Sequence, residues 1–106
     1  MPIIRTGTGT ITQINTFTVA AADQQRLIDL LTEAAHFSRE VPGWLSASLH
    51  RSLDGTRVVN YAQSDGMDSA QDVVDRLRAA GYLERNAAIA TAHPGLYEVA
   101  FTLDRV

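Results

Sequence analysis

Two asparagines stand where strands seldom carry them. Asn15 sits in Ile14-Asn15-Thr16-Phe17, and Asn60 in Val58-Val59-Asn60-Tyr61-Ala62-Gln63. Asparagine is depleted in strands because its side chain competes for nearby backbone hydrogen bonds. A carboxamide at a strand centre on a face that helices leave open needs partners. It can bond across to a neighbouring strand and fix register, or it can face a pocket and point at a ligand oxygen. Trp44 and Tyr61 pose the same choice, between core or interface anchor and aromatic wall of a pocket. His50 closes a strand beside a hairpin, where it serves either as a solvated residue or as a polar group at a pocket mouth. Strand alternation puts Phe17 with Asn15 and Ala62 with Asn60, so these two would line any pocket the asparagines address.

Other chemistries find no residues. The chain has no cysteine, and all nine basic residues are arginine, so disulfides, thiolates and Schiff-base lysines are excluded. His36, His50 and His93 are far apart, with no HExxH or similar spacing, and His36 reads as a surface residue of a helix. There is no G-x-S-x-G elbow, and Gly7-Thr8-Gly9 is too short to cradle a nucleotide. The expectation is therefore no cofactor: no metal, flavin or nicotinamide. With a net charge of -3 and scattered arginines, the chain has no stripe for nucleic acid. No apolar run approaches the roughly 20 residues that span a membrane. Met1 to Thr10 lacks an apolar signal segment, so a cytoplasmic location is expected.

The elements that must position these residues follow from periodicity. The 106 residues read as one domain, with residues 1–9 as a loose N-terminal arm. Ile11 to Val19 is rich in Ile, Thr, Phe and Val and reads as a strand. Asp23 opens a helix, as cap or first-turn acid, and Leu27, Leu30, Leu31 and Ala34 form its apolar stripe before Pro42-Gly43. Trp44 to Arg51 and Thr56 to Gln63 are strands joined by the hairpin signal Ser52-Leu53-Asp54-Gly55. Ala70, Val73, Val74 and Leu77 mark a second helix, ended by Gly81. Leu83 to Ala92 suggests a further short helix, and Leu96 to Leu103 a closing strand in which Tyr97, Val99, Phe101 and Leu103 share a face. The order βαββαβ predicts a ferredoxin-like α+β domain with an antiparallel four-stranded sheet. Both sheet faces carry apolar groups, yet helices cover only one. The other face calls for a second copy of the chain, giving a homodimeric barrel with a pocket in it.

The block Val41-Pro42-Gly43-Trp44-Leu45-Ser46-Ala47-Ser48-Leu49-His50, then Asp54-Gly55-Thr56 and Val58-Val59-Asn60-Tyr61-Ala62-Gln63, resembles the antibiotic biosynthesis monooxygenase family. It is most similar to the small enzymes that oxygenate anthrones in aromatic polyketide pathways. Asn15-Thr16-Phe17-Thr18-Val19 fits as well, and after residue 64 the likeness is one of pattern. The resemblance implies a dimeric barrel that oxidises a polycyclic phenol to a quinone with molecular oxygen and no cofactor. It makes Asn60 and Asn15 the candidate catalytic residues, with Phe17, Ala62, His50, Trp44 and Tyr61 as candidate substrate contacts. Close members carry Trp directly after Asn-Tyr-Ala-Gln, where this chain has Ser64, and a helix tyrosine near Ala70. Other readings on the same scaffold are a polyketide cyclase and a binding module without turnover. Haem degradation would need His93 as the iron ligand.

Overall fold

A computed structural model describes residues 1–106. The order is β1 Ile11–Val19, α1 Gln24–Ser38, β2 Trp44–Arg51, β3 Arg57–Ser64, α2 Met67–Ala79, α3 Tyr82–Ala87 and β4 Ala90–Tyr97, with a 3-10 turn at Ala21–Asp23 leading into α1. The strands form one antiparallel sheet in the order β2-β3-β1-β4, the ferredoxin-like arrangement. Phe17 and Val19 of β1 and Val58 of β3 pack on Leu27 and Leu31 of α1. Leu27 and Val58 are fully buried. Each such side chain contributes about 1.5–3 kcal/mol of hydrophobic stabilisation.

Two local devices tie the core to the loops. Asp23 lies at the start of α1, but its carboxylate makes no capping hydrogen bond. The buried Gln24 fastens that end instead, its Nε2 donating to Ser52 O and Arg57 O, each at 3.0 Å. These two carbonyls flank the β2–β3 hairpin. At the hairpin tip Gly55 has φ +82°, and Asp54 Oδ1 accepts from Thr56 N–H at 3.0 Å, Thr56 O–H at 2.7 Å and Ser52 O–H at 2.8 Å. Those bonds, the Thr56 hydroxyl foremost, stabilise the carboxylate and hold the Asp54 pKa down at about 2.

The last strand differs from the expected one. It runs from Ala90 to Tyr97, not Leu96 to Leu103, and α3 stops at Ala87. Pro94 lies inside β4, where it pairs with Asn15. Proline removes a ladder donor, which excludes it from central strands but not from an edge strand, and β4 is an edge. Gly95 is there for space: the Tyr97 ring lies across it, and a Cβ at 95 would stand 2.6 Å from the tyrosine hydroxyl. Residues 98–106 follow outside the sheet, leaving Phe101 and Leu103 75% and 82% exposed.

The N-terminal arm, residues 1–9, is exposed and irregular, with one tether across the sheet. Gln63 Nε2 donates to Ile3 O at 2.8 Å while its Oε1 accepts from Ser46 O–H at 2.6 Å. No helix is long and apolar enough to cross a membrane.

Candidate active site

A cavity of about 250 Å³ lies between the sheet and the helices. That is just below the usual range for small-molecule sites, about 300–1,000 Å³. The sheet contributes Gln13, Asn15, Phe17, Asn60 and Ala62, and β4 adds Ala92 and Pro94. From the helices come Leu31, Ala34, Val73, Leu77, Leu83 and Asn86, among others. Arg78 is the one charged side chain in the lining, and no Asp, Glu or His is part of it.

The sheet side chains reach this cavity by alternation. Phe17 and Val58 pack against α1, so their strand-mates two residues away, Asn15 and Asn60, also face the helices. The expectation that these asparagines occupy the open face is corrected: odd positions of β1 and even positions of β3 form the helix-covered surface. The register Asn15↔Asn60 sets the two carboxamides side by side. They are used differently. Asn15 Oδ1 accepts the backbone N–H of His93 at 3.1 Å, next to the donor lost at Pro94. Asn60 Oδ1 is shut off from solvent and has no hydrogen-bond partner.

Trp44 lines the cavity because of a bulge. The β2–β3 register slips between Trp44 and Ser46, so Trp44 pairs with Ser64 while Ser46 pairs with Gln63. A bulge adds one residue to one strand of a pair, bends that strand and re-aims a side chain. The bulge is held from behind. Gly43, at φ +90°, brings the backbone against α2, where a Cβ would stand 2.5 Å from Ser69 Cβ, and Asp65 N–H donates to Gly43 O at 2.9 Å. Position 64, where close family members place Trp, thus lies directly across from the one tryptophan of this chain.

Of the seven residues singled out from sequence, Asn15, Asn60, Phe17, Ala62 and Trp44 line one cavity. Tyr61 and His50 do not. Tyr61 alternates with Asn60 and Ala62 and so stands on the open face. His50 stands there too, its ring Nε2 2.6 Å from Ser48 Oγ. His93 is in β4 next to Pro94 and is not among the lining residues. No group of three or more His, Cys, Asp or Glu is placed to hold a metal ion.

Asn86, not among those seven residues, also faces this cavity from α3. It is 6% exposed, and its Oδ1 is buried without a partner. Tyr82, one helical turn earlier, anchors α3 to α1 by packing its ring 5.3 Å from that of Phe37. Arg85 adds an ion pair to Glu33 at 3.2 Å and lies over the Tyr82 ring. Residues 82 and 86 share a helix face, so the anchor of one aims the other. That i, i+4 pairing was the available signal.

Residues 10–63, just over half of the chain, match the antibiotic biosynthesis monooxygenase family, and the chain belongs to that family. It is 45% identical over 53 residues to the tetracenomycin-F1 monooxygenase of Streptomyces glaucescens. That alignment covers 49% of this chain and 47% of the other, so the chain matches about half the length of this curated relative. The structure of the ActVA-Orf6 monooxygenase of Streptomyces coelicolor, in complex with nanaomycin D, superposes with a TM-score of 0.81. It is 28% identical, covering 93% of this chain and 95% of that one. SnoaB from Streptomyces nogalater, a cofactor-independent oxygenase, shares the fold at a TM-score of 0.81 and 23% identity, over 90% of this chain and 97% of its own.

Proposed function

We propose that the chain is an oxygenase of aromatic polyketide biosynthesis that converts an anthrone, or a similar polycyclic phenol, to a quinone with molecular oxygen and no cofactor. The observation that carries this reading is Asn60, whose carboxamide oxygen is buried without a partner in the wall of a largely apolar cavity. The kinship with a tetracenomycin-F1 monooxygenase and with a nanaomycin D complex supports the substrate class.

The chemistry asks little of the protein beyond an environment. Triplet oxygen reacts slowly with closed-shell molecules, but an anthrone anion is electron-rich enough to give it one electron. The resulting radical and superoxide combine at the ring carbon, and the peroxide then loses water. The balance is one methylene and one O₂ giving one carbonyl and one H₂O. With its Oδ1 accepting from a ring hydroxyl, Asn60 turns the N–H groups of the same carboxamide to the oxyanion of the substrate and stabilises it, an effect typically worth about 3–4 kcal/mol of barrier for one such donor. Phe17, Ala62 and Trp44 exclude water and hold the ring plane. With no carboxylate or imidazole in the lining, the substrate enters as its own phenolate, and the Arg78 guanidinium favours that form. The kcat/KM should therefore rise with pH along the ionisation of the substrate.

The open sheet face, together with Phe101 and Leu103 at 75% and 82% exposure, supports a homodimer. Oxygen uptake with an anthrone panel, run on metal-stripped protein, tests the activity. One O₂ consumed per quinone formed is expected. No uptake, or uptake that returns only when a metal is added, would refute the reading.

A further inference from the structure

We infer that Asn86 is a second ligand-binding carboxamide, and that it selects substrates carrying a free hydroxyl on a ring away from the reacting carbon. Two buried side-chain oxygens lack partners in the lining of this one cavity, Asn60 Oδ1 on β3 and Asn86 Oδ1 on α3. Native proteins pair nearly all of their buried polar groups, so an unpaired one marks a place where something else supplies the partner. The two oxygens belong to opposite walls, one on the sheet and one in the helix layer. An occupant that satisfies both spans the cavity.

The atom type sets the chemistry. An amide oxygen accepts, so its complement is an O–H, and a phenol has one while an aryl ether or a quinone carbonyl does not. Around these amides the lining is mostly aliphatic and aromatic, which suits fused rings. A buried acceptor also discriminates sharply, because an analogue without the donor leaves the acceptor unpaired. Asn86 is held for this purpose. Tyr82 and Arg85 fix α3 on α1, and the Asn86 side chain makes no hydrogen bond to the protein that would occupy it. It also lies outside the family match at residues 10–63, in the part of the chain where selectivity can vary without altering the Asn60 strand.

Resting on the reading of the cavity as an aromatic ligand site, this assignment is tested by binding rather than turnover. The probes are a dihydroxyanthraquinone with one hydroxyl on each outer ring, away from the central carbonyls, its mono-O-methyl ether and its di-O-methyl ether. Dissociation constants are read by tryptophan quenching. The intact protein should bind the dihydroxy compound about tenfold more tightly than the mono-ether, the worth of one hydrogen bond. Asn86→Leu should bring those two within about twofold, since the mono-ether then turns its one hydroxyl to Asn60. Asn86→Asp, which keeps an acceptor, should restore the preference. Asn86→Ala, which likewise removes the acceptor, is the alternative should the leucine variant fail to fold. An undiminished preference in folded Asn86→Leu would overturn the assignment. Absence of binding by any probe would overturn both it and the proposed function. Tight, hydroxyl-dependent binding without oxygen uptake would uphold Asn86 and refute the oxygenase reading alone.

Discussion

The helix-covered face of the sheet holds Asn60 with no partner for its carboxamide oxygen, whereas the open face holds Ser48 and His50 already bonded to each other. Both faces carry aromatic and polar residues on the same strands. Phe17 and Asn60 look toward the helices, while Tyr61, His50 and Tyr97 look away. Residue type alone would nominate either face, and the histidine and tyrosines make the open one the more conventional choice. The difference lies in enclosure and in unmet bonding. A cavity roofed by α1, α2 and α3 can exclude water, and the unpaired amide oxygens of Asn60 and Asn86 wait for a ligand. The open face, crossed by the N-terminal arm only near Gln63, is a layer suited to a flat partner.

The sharpest way to break this contrast is to truncate one residue on each face. Asn60→Ala should lower kcat/KM on a turned-over anthrone by about 100-fold while the melting transition persists, a loss of about 2.7 kcal/mol in barrier stabilisation. Tyr61→Arg, one residue along but on the other face, should shift the sedimentation coefficient from that of a dimer toward that of a monomer at micromolar concentration. A wild-type chain that sediments as a strict monomer would remove the role given to the open face.

Asn15→Ala sharpens the comparison within the covered face. Because Asn15 Oδ1 is committed to the His93 N–H, its loss should cost about 1 kcal/mol of stability in urea unfolding. Activity per folded molecule should fall by less than about tenfold. His50→Ala should leave kcat/KM within about twofold, since its ring is turned away from the cavity. The smallest effect belongs to the hairpin, which serves neither face. The Asp54 pKa is lowered from 3.8 to about 2 in the folded chain, so its bonds to Thr56 and Ser52 stabilise the fold above about pH 4. That contribution fades as the pH falls toward 2. Asp54→Asn should flatten this part of an acid unfolding curve and leave the rest unchanged.

How far these features are legible in the sequence depends on the kind of signal. The β1 and β2 spans, Ile11–Val19 and Trp44–Arg51, follow directly from β-branched and aromatic content bounded by turn residues. The covered stripe of α1 follows from Leu27, Leu31 and Ala34. Alternation shows that Asn15 and Phe17 share a face, but not which face, because β1 is partly apolar on both. Only the packing of Phe17 and Val19 on Leu27 and Leu31 settles that. The span of β4 is hidden since Ala90 and Ala92 have weak strand character and Pro94 reads as a terminator unless the strand is known to lie at an edge. The apolar run after Tyr97 is a stronger local signal, yet it has no neighbouring strand in its own chain. Trp44 owes its orientation to a register slip that simple alternation cannot foresee. Asn86 sits in a six-residue helix, Tyr-Leu-Glu-Arg-Asn-Ala, that is legible as a short helix, but its charged neighbours Glu84 and Arg85 do not show that Asn86 is buried.

The most direct test of the central claim, that ligand occupies the helix-covered face, is a heteronuclear NMR titration of the chain with an anthraquinone. The account predicts saturable shifts of the Asn60 and Asn86 side-chain amides, the Trp44 indole N–H and the Ala62 methyl, with Ser48, His50 and Tyr61 unmoved. Shifts centred on Ser48, His50 and Tyr61, with the Asn60 and Asn86 amides unchanged, would contradict it.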